Sequence, residues 1–111
     1  MAVHELGITL EVVDLVMEHA RGARVKRVVL EIGRLTAVLP DAVRFCFDVC
    51  AAGTAAEGAE LEIVETPGRA RCRDCGSGLT LDDPLGCCVC GSLDLEWLAG
   101  TELSVREFEL A

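Results

Sequence analysis

Two C-x-x-C pairs carry most of the chemistry legible in this chain: Cys72-Arg73-Asp74-Cys75 and Cys87-Cys88-Val89-Cys90, with eleven residues between Cys75 and Cys87. Two such pairs can bring four thiolates to the corners of a tetrahedron. Gly76 and Gly91, each following its pair, relieve crowding where the backbone turns around an ion. Four soft thiolates suit zinc or iron, and a shell closed by sulfur leaves no position for water, so the expected role is structural. The set read from the spacing is Cys72, Cys75, Cys87 and Cys90. Cys88 is left outside it, because adjacent cysteines rarely both point at one ion. A thioredoxin-type redox pair does not fit, since neither pair lies between a strand and a long helix. Cys46 and Cys50, spaced i, i+4 on an expected helix, read as small buried apolar side chains.

Composition agrees with thiolates on a metal rather than disulfides. Seven cysteines cannot pair completely, and a reducing compartment keeps thiols free. The N-terminus lacks the basic start and apolar stretch of a secretory signal, and no apolar run approaches the roughly 20 residues that span a bilayer. The expectation is a cytoplasmic protein with no membrane partner. A formal charge of −9, with no block of basic residues to neutralise successive phosphates, argues against nucleic acid. At 111 residues and 51% hydrophobic content the chain can build one small core or two very small ones, which excludes a large multidomain enzyme.

The elements that must position these cysteines follow from periodicity. Leu6, Leu10, Val13, Met17 and Ala20 recur every three or four positions and predict an amphipathic helix over 5–20, stopped by Gly22. Val25 to Ile32 is β-branched and reads as a strand. Pro40 starts a second helix with Asp41 in its first turn, its core face formed by Val43, Phe47 and Cys50. His19, late in the first helix, suits a surface role near the negative end of the dipole. Leu61 and Ile63 alternate with glutamates in a second strand, closed by a Pro67-Gly68 turn.

Arg69 to Gly91 has five cysteines and few large aliphatics, too little for a core of its own. Glu102 to Leu110 alternates again and resembles the earlier strands. The reading is an α+β fold, a small mixed sheet with two helices, plus an inserted zinc-ribbon-like lobe. Residues 1–68 and 100–111 form the discontinuous α+β domain, and 69–99 the metal-binding one.

The fragments His4-Glu5-Leu6-Gly7-Ile8-Thr9, Glu31-Ile32-Gly33, Phe45-Cys46-Phe47, the paired knuckles and Gly100-Thr101-Glu102-Leu103 together resemble the HypA/HybF family, over essentially the whole chain. Members of that family are nickel metallochaperones for maturation of [NiFe] hydrogenases, and some also serve urease. The resemblance implies zinc on Cys72, Cys75, Cys87 and Cys90. It also implies nickel at the N-terminus, with His4 matching the nickel histidine and Glu5 its acidic neighbour. The implied partners are the GTPase HypB, the [NiFe] hydrogenase large subunit and, on the urease side, urease maturation factors. No reaction is expected to be catalysed. Where many members carry Pro after the first cysteine of the second knuckle, this chain has Cys88.

A further departure is that the family histidine is residue 2, whereas this chain reads Met1-Ala2-Val3-His4. Two starts restore the site. A GTG codon at Val3, read as Met, gives Met-His-Glu. Alternatively, removal of Met1 leaves Ala2-Val3-His4, whose amine, two amides and imidazole form a square-planar four-nitrogen site of the kind nickel(II) favours. Taken without the resemblance, His4 reads as a helix-start residue making a local hydrogen bond, and Asp41 as a first-turn helix residue rather than a nickel neighbour. The alternatives in other classes are a zinc-ribbon interaction module without nickel and a rubredoxin-like iron electron carrier.

Overall fold

The computed structural model describes residues 2–82 and 86–111, with side chains from His4 onward. The expectations attached to Met1 and to the side chains of Ala2 and Val3 lie outside the described residues. Two helices, α1 (Ala2–Ala20) and α2 (Pro40–Ala51), accompany six strands: β1 (Val25–Gly33), β2 (Glu60–Thr66), β3 (Gly68–Cys72), β4 (Gly78–Leu81), β5 (Leu95–Ala99) and β6 (Leu103–Leu110). They form two three-stranded sheets, in the orders β2-β1-β6 and β4-β3-β5. The fold is α+β, as expected, and the strand after Gly100 does join the two earlier ones.

By compactness the chain divides into a first unit of residues 1–31, 38–64 and 104–111 and a second of 32–37 and 65–103. In the first unit α1 packs on α2. The core gathers Val13, Val16, Ala20, Val25, Val28, Phe47, Ala51 and Ala56, and β6 adds Val105 and Phe108 against it. Arg27, central in its sheet, pairs with Glu62 of β2 at 2.8 Å and Glu109 of β6 at 3.0 Å, tying three strands through one guanidinium.

The buried face of α1 differs from the expected one. Leu6 and Leu10 are 37% and 46% exposed, whereas Glu5, Thr9, Val12, Val13, Val16 and Ala20 are buried. One residue along a helix is a rotation of about 100°, so the leucine stripe lies beside the packed stripe rather than on it. Hydrogen bonds help to admit the two polar residues. The Thr9 hydroxyl donates to the Glu5 carbonyl at 2.6 Å, and Glu5 Oε2 accepts the Leu39 N–H at 3.1 Å. On α2 the face is Val43, Cys46, Phe47 and Ala51, with Cys50 packed at its margin. Burial pushes the Cys50 thiol up, which keeps it a protonated apolar filler.

The second unit has a sheet that periodicity alone does not reveal. β3 runs antiparallel to β4, pairing Gly68 with Leu81 and Arg71 with Gly78, and antiparallel to β5, pairing Cys72 with Leu95. Gly68 therefore opens a strand instead of closing a turn. Its core is thin: Ala70, Cys72, Cys88 and Leu95, flanked by Leu79 and Leu81. Three glycines meet at one end of the unit. A Cβ on Gly33 would overlap the Gly100 carbonyl, and one on Gly100 would stand 2.5 Å from Gly68 Cα.

Candidate metal centre

β3 delivers Cys72 to the sheet end, and the chain turns back at once. The Cys72 N–H donates to Ser77 O at 2.9 Å, the Gly76 N–H donates to Cys72 O at 2.8 Å, and Gly76 takes the φ of +78° that the tight return needs. The Cys75 N–H points at Cys72 Sγ, 3.5 Å away. The second turn is built alike, with the Cys88 N–H on Ser92 O at 3.0 Å and the Gly91 N–H on Cys88 O at 2.8 Å. Side chains tie the two turns together. Ser92 Oγ donates to Asp74 Oδ2 at 2.5 Å, and the Arg73 guanidinium reaches Asp94 Oδ1 at 2.9 Å.

These turns bring the sulfurs of Cys72, Cys75, Cys88 and Cys90 within 4.8 Å of one another. Cys72 Sγ is 3.7 Å from Cys90 Sγ, and Cys75 Sγ is 3.5 Å from Cys88 Sγ. A tetrahedral ion with metal–sulfur bonds of about 2.3 Å has sulfur–sulfur edges of about 3.8 Å, so the donor set fits zinc in both number and spacing. Cys72 and Cys88 are buried at 0% and 3% exposure, while Cys75 and Cys90 face solvent.

Of the cysteines expected as ligands, the geometry gathers Cys72, Cys75 and Cys90. Cys87 is exposed and outside the group, and Cys88, left out by the spacing argument, is inside it. Of the two neighbouring sulfurs, the one that lies with the other three is that of Cys88. The signal available in the sequence was the tripled cysteine itself, which offers two choices where a C-P-x-C knuckle offers one.

The electrostatics favour thiolate on one side of the cluster. The Ser77 hydroxyl, with the backbone and neighbouring sulfurs, lowers the Cys75 thiol to about 6. The Cys75 backbone N–H holds Cys72 below the ordinary thiol value. For Cys88 the Cys90 backbone N–H pulls down, but burial and the sulfurs around it win, and the thiol is pushed up to about 12. A divalent ion reverses that balance, since a coordinating thiol is deprotonated outright.

At the other candidate site, His4 is exposed in the first turn of α1 and Glu5 is 1% exposed. The Leu39 N–H accepted by its carboxylate lowers the Glu5 pKa. Because the folded value lies below the unfolded one, the bond stabilises the fold above the ordinary carboxylate range. That contribution disappears as pH falls through the folded value. The Glu5→Gln variant is expected to show a flatter loss of stability in acid than the parent, read by denaturant midpoints at stepped pH below neutrality. His19 is exposed in the last turn of α1 with Nδ1 2.9 Å from Leu15 O, and Asp41 is exposed in the first turn of α2. No helix among the described residues is long and apolar enough to cross a membrane.

A family model described as "Hydrogenase/urease nickel incorporation, metallochaperone, hypA" matches residues 3–110. The chain is 56% identical over 107 residues to the hydrogenase maturation factor HypA of Nostoc punctiforme, covering 96% of this chain and 95% of that one. It is 46% identical over 110 residues to the protein of the same name from Geobacter sulfurreducens, covering 96% and 98%. The solution structure of the nickel metallochaperone HypA from Helicobacter pylori superposes with a TM-score of 0.67 at 24% identity, covering 96% of each chain. At that identity the superposition speaks for the fold.

Proposed function

Since the chain belongs to the HypA family of metallochaperones and maturation factors, we propose that it carries Ni(II) to [NiFe] hydrogenase during assembly, holding zinc separately as scaffolding. Cargo belongs to the lobe of residues 1–68 and 100–111, and zinc to 69–99. The observation that carries this reading is the family match running from residue 3, one position before an exposed His4.

The position of His4 suits a transferable ion. The first four N–H groups of a helix have no intrahelical acceptor, so backbone nitrogens around His4 can serve beside its imidazole without breaking helical hydrogen bonds. Nickel(II) favours such square-planar nitrogen sets. Few donors on an exposed first turn let the ion leave as well as arrive, whereas four thiolates knitted into two turns retain theirs. Glu5 contributes as an acidic neighbour while its carboxylate is engaged by Leu39. The protein acts without catalysing a reaction. Its partners on this reading are the GTPase HypB and the hydrogenase large subunit, with urease maturation factors on the urease branch.

Nickel titration of the zinc-loaded protein, followed by calorimetry and metal analysis, tests the proposal. One nickel is expected beside one retained zinc. His4→Ala should weaken nickel binding by at least about tenfold, roughly 1.4 kcal/mol, with zinc content and circular dichroism unchanged. Unaltered nickel affinity in that variant would remove His4 from the site. A parent protein that takes zinc and ignores nickel would leave the interaction-module reading, and a red iron centre the electron-transfer one.

A further inference from the structure

The two metal turns are sequence repeats of each other: Cys72-Arg73-Asp74-Cys75-Gly76-Ser77 and Cys87-Cys88-Val89-Cys90-Gly91-Ser92 both read C-x-x-C-G-S. Aligned on that repeat, Cys87 corresponds to Cys72. The backbone aligns them differently. In the first turn Cys72 donates its N–H to Ser77 O and accepts the Gly76 N–H; in the second the same two bonds, to Ser92 O and from the Gly91 N–H, are made by Cys88. Cys88 stands where Cys72 stands, one residue closer to its glycine, and its sulfur is in the cluster.

From this conflict we propose that the second turn has two ligand registers, in which Cys88 or Cys87 alternately completes the four-sulfur zinc site. The thiol not in use lies free at the surface. This deepens the zinc reading above and rests on it. Both registers end at the same hinge, because Gly91 already holds a φ of +91°, the counterpart of +78° at Gly76. Sliding the backbone at Cys87 and Cys88 by one residue relative to Gly91 replaces the two hydrogen bonds of Cys88 with two equivalent ones from Cys87. With Cys88 in the group, the neighbouring Cys87 is exposed and outside it, so the slip that seats one sulfur turns the other away. Both registers cannot be filled at once. The exchange needs no oxidant or reductant: the entering thiol gives up a proton as its sulfur binds the ion, and the departing thiolate takes one. The result is a zinc site in which one ligand position has a spare, so that loss of either neighbouring thiol leaves the shell complete.

The test uses the full chain and Co(II) or Zn(II), comparing the parent with Cys87→Ala, Cys88→Ala and the double variant. Each single variant is expected to retain the four-thiolate cobalt spectrum and an affinity within about tenfold of the parent in competition with a chromophoric chelator. The double variant should lose about a hundredfold or more and give a three-thiolate spectrum. If either single variant behaves as the double one does, that cysteine is a fixed ligand and the exchange is refuted. If the parent binds neither ion, the zinc reading itself fails. A second measurement needs no variant: brief alkylation of the zinc-loaded parent, mapped by mass spectrometry, should place one label on Cys87 in some molecules and on Cys88 in others. Labelling confined to one of the two overturns the inference.

Discussion

Replacing Cys72 with serine is expected to unfold the second unit while the first keeps its helices. Two of the four buried residues in the apolar cluster around the cysteine turns are cysteines, Cys72 and Cys88, beside Ala70 and Leu95. So little aliphatic surface cannot offset the conformational entropy of an ordered segment of this length. A structural zinc site contributes about 10–16 kcal/mol in small peptides at neutral pH, so on the proposed zinc reading coordination is the main stabilising term. Serine removes a sulfur that lies 3.7 Å from Cys90 Sγ and accepts the Cys75 N–H, so both ion and turn are disturbed. The first unit has its own core around Val16, Val28 and Phe47. Limited proteolysis should therefore cut within 65–103 while far-ultraviolet circular dichroism retains its helical signal, and the same pattern should follow strong chelation of the parent. Protease resistance of 65–103 in the zinc-free variant would show that the apolar core suffices.

Gly33→Ala is expected to cost about 3 kcal/mol or more, at the upper end of ordinary overpacking. The added methyl would meet the Gly100 carbonyl and stand 2.8 Å from Glu102 N, both of them backbone atoms that no rotamer change can move. The site is also held by hydrogen bonds that fix the approach: the Gly33 N–H donates to Glu102 O at 2.7 Å, and the Leu35 N–H to Gly100 O at 2.8 Å. Relief of the clash must break one of them. Denaturant unfolding followed by amide exchange at Leu35 measures the effect. A change below about 1 kcal/mol, with Leu35 still protected, would show that the backbone yields more readily than the close packing implies.

How far the sequence carried the structure depended on the kind of signal. Elements with strong periodicity and clear stops, α2 behind Pro40 and β1 among its valines, emerged near their bounds. So did the sharing of one sheet by residues from both ends of the chain, because 102–110 repeats the alternation of the earlier strands. The facing of α1 did not, since a leucine stripe and a Glu5-Thr9-Val stripe are neighbours on the helix and hydrophobicity prefers the former. The choice was made by a hydrogen bond to Glu5 from Leu39, 34 positions away, and by the valines available to pack, neither of which leaves a local trace. Strands β3 to β5 escaped notice because each is only four or five residues long, and in β3 Gly, Arg and Cys surround a single Ala. At the cysteines, spacing picked out Cys72, Cys75 and Cys90, which the fold gathers, together with Cys87, where the fold gathers Cys88. A residue count cannot tell which of two adjacent sulfurs a turn directs inward.

The division of the first unit along the chain has a consequence for biosynthesis. Residues 104–111 belong to it, and Val105 and Phe108 of β6 close its core. The first unit therefore cannot complete its core until the residues that follow the cysteine turns in the chain have been synthesised.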